Sequence, residues 1–131
     1  MIILDTHVLI DFFGGSSDAE RIINEFEDGK IDMAISVITI SEIFYIVSRK
    51  SEIDQAKTVI DSIKSWIPTF PVSSEIAEKA GELKFRYAGN AKKGLPMADA
   101  IIAATAWLHD ADLLTSDEHF DKIKEIKVRK V

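Results

Sequence analysis

The first thirteen residues constrain the fold more than any other stretch. Ile2, Ile3 and Leu4 form a short apolar run rich in β-branched side chains, and Asp5 and Thr6 interrupt it. Such a run suits a strand covered on both faces. Apolar residues then return at Val8, Leu9, Phe12 and Phe13, a helical spacing. A buried strand that ends in a carboxylate and passes at once into a helix is the pattern of an α/β domain with chemistry at the carboxyl edge of its sheet. The strand is therefore expected to be central, with Asp5 part of a metal-binding acidic cluster.

The rest of the chain repeats the alternation. Ala19, Ile22, Ile23 and Phe26 predict a helix that Asp28-Gly29 stops, and Ile31 to Ile35 reads as a second strand. Helical spacing resumes from about Val37 to Arg49-Lys50-Ser51, and again from Ile53 to Ile63. Pro68 and Pro71 limit the stretch between Trp66 and Val72 to a short edge strand at best. Ser73 or Ser74 can cap a helix running to Tyr87, and Pro96 stands where another is about to begin. That helix, Met97 to Leu108, is rich in alanine and slim enough to lie close against a sheet. Leu113-Leu114 is a short strand, Phe120 and Ile123 face inward from a last helical turn, and Ile126 to Val131 alternates like an edge strand. This order favours a mostly parallel sheet with helices on both faces, and 131 residues suit a single domain, 1–131.

Composition narrows the chemistry. No cysteine is present, which excludes disulfides and cysteine-ligated zinc. The opening run lacks the flanks of a targeting signal and no apolar stretch reaches spanning length, so a cytoplasmic protein with no membrane partner is the expectation. The net charge of −6, from 22 acidic and 16 basic residues, disfavours a polyanion partner. Its distribution softens that, because Lys84, Arg86, Lys92 and Lys93 form one basic group and Lys122, Lys124, Lys127, Arg129 and Lys130 another. Either group serves equally well as a solvated face.

Four carboxylates can meet at one sheet edge. Asp5 ends the first strand, Glu42 lies early in the helix after the second, Asp99 is in the first turn of the alanine-rich helix, and Asp117 follows the Leu113-Leu114 strand. Two helices separate the third and fourth strands, and parity alone does not say which starts at that edge. Like charges so placed repel unless a cation compensates. Oxygen ligands point to Mg²⁺ or Mn²⁺. Each acid also has a plainer role: Thr39-Ile-Ser-Glu42 can be a capping box, Asp99 can complement a helix dipole, and Asp117 can cap the turn to Phe120. Asp5 is harder to explain without a partner. Asp11 reads as surface or as a support to the site. His109 is placed to cap a helix end, while His7 and His119, two residues after Asp5 and Asp117, can reach the rim.

Ile3-Leu-Asp-Thr-His-Val-Leu-Ile10, Ile40-Ser-Glu-Ile43, Leu95-Pro-Met-Ala-Asp-Ala-Ile-Ile-Ala-Ala104 and Leu114-Thr-Ser-Asp-Glu-His-Phe120 resemble, in order and spacing, the PIN-domain ribonucleases. Within that family the chain looks most like the small VapC-type toxins of prokaryotic toxin–antitoxin pairs. The resemblance implies a three-layer α/β/α sandwich on a mostly parallel five-stranded sheet of order 3-2-1-4-5. It implies endoribonuclease action with one or two Mg²⁺ or Mn²⁺ ions, a homodimer, and a cognate antitoxin protein. Asp5, Glu42, Asp99 and Asp117 fall on the family's acidic positions, Thr115 on its hydroxyl position and Thr6 on the polar residue after the first acid. Asp5 and Asp99 would be direct metal ligands, Asp117 direct or through water, and Glu42 a ligand of a second ion or a guide for the attacking water. Arg86, Lys92 and Lys93 would guide the RNA backbone.

Two other folds that begin with a strand and an aspartate are excluded. A haloacid-dehalogenase-type phosphatase needs Asp where His7 stands, and a receiver domain needs a phospho-accepting Asp where Pro71-Val-Ser-Ser-Glu75 stands. The remaining alternative is a non-enzymatic interaction module, its acids serving as caps and its helix at Val37–Ser48 docking a partner through Phe44 and Tyr45.

Overall fold

A computed structural model describes residues 1–89 and 94–131. In chain order its strands and helices are β1 (Ile2–Leu4), α1 (Thr6–Phe13), α2 (Ser17–Glu27), β2 (Met33–Ser36), α3 (Val37–Lys50), α4 (Ile53–Trp66), β3 (Thr69–Phe70), α5 (Ser74–Arg86), α6 (Met97–Leu108), β4 (Asp112–Thr115) and β5 (Val128–Lys130). A 3₁₀ turn, Glu118–Phe120, lies between β4 and β5. Among the described residues the five strands form one sheet of order β3-β2-β1-β4-β5, and every neighbouring pair is parallel. β1 is central, as its uninterrupted apolar run requires.

Alternation along the strands separates two cores. Ile3, Ala34 and Leu113 point to the face covered by α5 and α6, where Ile76, Leu83, Ala103 and Phe120 are buried. Ile2, Leu4, Met33, Ile35 and Leu114 point to the other, packed by Leu9, Ile23, Ile43 and Ile63 from α1 to α4. The result is a three-layer α/β/α sandwich. Ala100, Ala103, Ala104 and Ala106 of α6 are fully buried, so small side chains let this helix lie against the sheet without opening a gap. Among the described residues no helix is long and apolar enough to cross a membrane.

Local signals place most boundaries. Ser16 and Ser73 accept from the amides of Ala19 and Ile76 at the starts of α2 and α5. Gly29, with φ at +73°, ends α2 in a left-handed conformation that a side chain would disfavour. Three expectations shift. β2 runs over Met33–Ser36 in place of Ile31 to Ile35, because the register pairs Ile2 with Met33. β5 covers Val128–Lys130, half of the alternating tail, since only that part has a neighbour in β4. The capping box at Thr39 does not form: Ser36 caps α3 by accepting from Ile38 N, so Thr39 falls inside the helix.

Candidate active site

Because all strands run the same way, the segments that leave β1, β2 and β4 emerge along one edge. Asp5 leaves β1 with its amide still in the ladder, donating to Leu114 O at 2.9 Å. It has the extended backbone of a helix cap but its side chain does not cap α1. With the residue 2% exposed, its carboxylate instead accepts from Thr115 Oγ1 at 2.8 Å through Oδ2. Burial pushes the Asp5 carboxyl up, and the Thr115 hydroxyl and the nearby His7 offset part of that.

Thr115 ends β4 and is fully buried. Its oxygen also accepts from Asp117 N at 2.9 Å, so one hydroxyl fixes the first acid and the main chain of the last. Asp117 starts the 3₁₀ turn: Oδ1 accepts from His119 N at 2.8 Å, and Oδ2 lies 3.2 Å from His119 Nδ1. Capping and site roles therefore coexist in Asp117. From β5, Lys130 Nζ donates to Asp117 O at 2.9 Å and pairs with Asp121 at 2.6 Å. Nothing in the pattern of the C-terminal tail signals this, because it depends on the β4–β5 register.

Glu42 is half-buried on α3, and its Oε1 lies 2.6 Å from Thr6 Oγ1. Thr39 Oγ1 lies 3.1 Å from the same Thr6 oxygen. A carboxylate can only accept, so the single Thr6 proton goes to Glu42 and Thr39 donates to Thr6. Thr39 thus orients the acid three residues on without capping it.

Asp99 sits in the first turn of α6. Lys84 Nζ donates to Leu95 O at 2.8 Å, tying α5 to the residues that lead into that turn. Burial, followed by repulsion from Asp5, Glu42 and Asp117, pushes the Asp99 carboxyl up to about 6. Two helices intervene between β3 and β4, and it is α6 that brings its amino end to the acids. Asp99, Asp117 and His119 each offer a ligand atom within 4.8 Å of the others.

The remaining candidates lie elsewhere. Arg86 ends α5 paired with Glu82 at 3.3 Å and Glu125 at 3.1 Å. Burial opposes ionisation of Glu125, but the Tyr87 hydroxyl, its own backbone and Arg86 outweigh that and hold its carboxyl below the usual range. Lys92 and Lys93 lie outside the described residues. Asp11 and His7 are exposed, and His109 ends α6 stacked on Phe70 at 4.0 Å between ring centres.

The donor set fits a hard divalent cation. Among the described residues no Lys or Arg side chain pairs with Asp5, Glu42 or Asp99, and two of these carboxyls are pushed up by burial. Carboxylates clustered this way without a basic partner are relieved by a metal ion or by protons.

Fold and site together define an α/β protein with an acidic cluster at the carboxyl edge of a parallel sheet. The family model for the PIN domain matches residues 2–126, and the chain belongs to the PIN-domain family, where its likeness is to the VapC-type toxins. It is 29% identical over 128 residues to "Ribonuclease VapC19" of Mycobacterium tuberculosis, covering 97% of this chain and 98% of the relative. A toxin–antitoxin complex from Klebsiella pneumoniae matches with a TM-score of 0.72 and 28% identity, covering 96% of this chain and 95% of the other. VapBC2 from Rickettsia felis, bound to a DNA fragment from its promoter, shares the fold with a TM-score of 0.83 at 22% identity, over 100% and 99% of the two chains.

Proposed function

We propose that this chain is a metal-dependent endoribonuclease that acts, as a single domain, as the toxin of a toxin–antitoxin pair. The observation that carries the reading is the acidic cluster at the sheet edge, where Asp99, Asp117 and His119 offer ligand atoms within 4.8 Å of one another, and where burial, then repulsion from Asp5, Glu42 and Asp117, raises the Asp99 carboxyl to about 6. Membership of the PIN-domain family and likeness to a relative named as a ribonuclease support RNA as the substrate. Similarity to toxin–antitoxin complexes supports an antitoxin partner. A homodimer is carried over from the family resemblance.

Asp5, Asp99 and Asp117 would hold one Mg²⁺ or Mn²⁺ ion, with Glu42 available to a second. Bound there, the metal supplies Lewis acidity, acidifying the attacking water and neutralising charge on the phosphoryl oxygens. Thr115 aims the Asp5 carboxylate by donating to Oδ2 and offsets part of the cost of burying its charge. Thr6 holds Glu42 in one rotamer, from which its free oxygen can orient the water. Water, not the RNA 2′-hydroxyl, would attack phosphorus in line with the bond to the 3′-oxygen; that bond breaks and the oxygen leaves as the 3′-hydroxyl, so the other product carries a 5′-phosphate. Lys92 and Lys93 remain candidates to guide the RNA backbone, whereas Arg86 must first leave Glu82 and Glu125.

The test uses metal-stripped protein and structured cellular RNAs, with and without Mg²⁺ or Mn²⁺, beside D5N. Discrete metal-dependent cuts with 5′-phosphate ends that vanish in D5N are expected. An absence of cutting together with an absence of metal-induced stabilisation overturns the reading. A second reading, a non-enzymatic interaction module, draws on the exposed Tyr45 and Ile53 beside Ile40 and Phe44 on α3 and the start of α4. That module would gain no thermal stability from millimolar Mn²⁺, which separates the two.

A further inference from the structure

His119 stands apart from the acids as a nitrogen donor. Its ligand atom groups with those of Asp99 and Asp117 within 4.8 Å, and its Nδ1 is 3.2 Å from Asp117 Oδ2. Ligands held roughly 2.1 Å from a shared ion at right angles sit about 3 Å apart, so the two groups, which approach as a polar pair without an ion, already stand as close as neighbouring ligands need to. The arrangement is fixed from both sides. Asp117 Oδ1 accepts from the His119 amide, and Phe120, fully buried one residue later, anchors the turn in the core. Lys130 holds the Asp117 carbonyl from β5. The imidazole is 61% exposed, which leaves it room to turn either ring nitrogen toward an ion between the two carboxylates.

Resting on the metal site proposed above, we infer that His119 is a direct nitrogen ligand, and that it biases the site away from Mg²⁺ toward Mn²⁺ and later transition ions. Mg²⁺ favours oxygen donors and gives up its waters reluctantly, whereas imidazole suits borderline transition ions. A site of carboxylates alone discriminates weakly between Mg²⁺ and Mn²⁺. Exchanging one oxygen for an imidazole nitrogen leaves Mg²⁺ with a poorer partner and gives the transition ion a better one.

The experiment needs no RNA. Metal-stripped wild type, H119Q, H7Q and D99N are titrated with Mn²⁺ and Mg²⁺ by calorimetry, and the Mn²⁺-loaded proteins are examined by pulsed electron paramagnetic resonance for ¹⁴N hyperfine coupling. Coupling is expected in wild type and H7Q and its loss in H119Q, with Mn²⁺ affinity falling ~10-fold or more while Mg²⁺ affinity changes less than about threefold. Mn²⁺ bound without nitrogen coupling, coupling that survives H119Q, or equal losses for both ions overturns the ligand assignment and leaves the carboxylate site standing. Absence of Mn²⁺ binding in the wild type, or binding undiminished in D99N, overturns the metal site itself and the assignment with it. Because His119 is exposed on the surface, H119Q is expected to fold like the wild type, with an unchanged denaturation midpoint in the absence of metal.

Discussion

Thr115 Oγ1 donates to Asp5 Oδ2 at 2.8 Å, joining residues 110 positions apart. The bond crosses between the central strand and its neighbour at the edge where the acids gather, and it offsets part of the burial that pushes the Asp5 carboxyl up.

Removing that donor leaves a buried carboxylate short of a partner. T115V is expected to destabilise the metal-free protein at neutral pH by about 1–3 kcal/mol, while T115S stays near wild type. Urea denaturation of the three proteins at pH 7 checks this, and equal stability of T115V and wild type would contradict it.

Asp99 makes stability depend on pH in a definite direction. Its carboxyl is raised from 3.8 to about 6 in the fold, so ionisation is harder in the native than in the unfolded chain. The group costs nothing below pH 3.8 and the cost grows as pH rises to about 6, reaching its full value above that. Asp99 is only half-buried, so solvent screening keeps the loss well below the ~3 kcal/mol that ~1.4 kcal/mol per unit would give. Asp5, also raised, acts in the same sense. Metal-free D99N should therefore show a flatter melting temperature than wild type between pH 4 and 7, and a higher one at pH 7. Divalent metal should stabilise wild type at pH 7 and D99N much less.

Lys130 is a positioning residue for the Asp117 turn. K130M removes exposed interactions with the Asp117 carbonyl and Asp121, so its effect on stability should stay below about 1 kcal/mol. Mn²⁺ affinity should fall several-fold, with K130R retaining part of it. Calorimetric titration beside a melting curve separates the two effects.

Phe120 ends the turn that carries His119 and is fully buried in the core. F120A should cost ~3–5 kcal/mol through lost burial and the cavity left behind. Chemical denaturation gives the number, and a loss under 1 kcal/mol would mean that the turn is not anchored in the core.

Much of the fold was legible locally. Ile2-Ile-Leu4 marked a central strand because apolar side chains on both faces need cover on both, and Pro68 and Pro71 marked β3 as an edge because proline cannot donate to a ladder. The serine at position 73 and the glycine at position 29 set helix ends by chemistry acting within a few residues. The limits of β2 and β5 were not legible, because a strand ends where its neighbour ends. The cap of α3 was misplaced for a related reason: Ser36 and Thr39 are both good caps, and only the point at which β2 stops chooses between them.

The sequence by itself determined the chemical inventory: acids at positions 5, 42, 99 and 117, hydroxyls at 6 and 115, and no thiol. Tertiary structure alone decided that Asp99 joins the others, since two helices come after β3 and either could have begun at the acidic edge. It also decided that Thr39 serves Thr6 and Glu42, that Lys130 grips the Asp117 carbonyl, and that Arg86 is engaged by Glu82 and Glu125. These are contacts between elements far apart along the chain. Local propensity fixes what each element is, but the distance between two side chains depends on how strands register and helices pack, and the charge–charge energies that define a site vary with that distance.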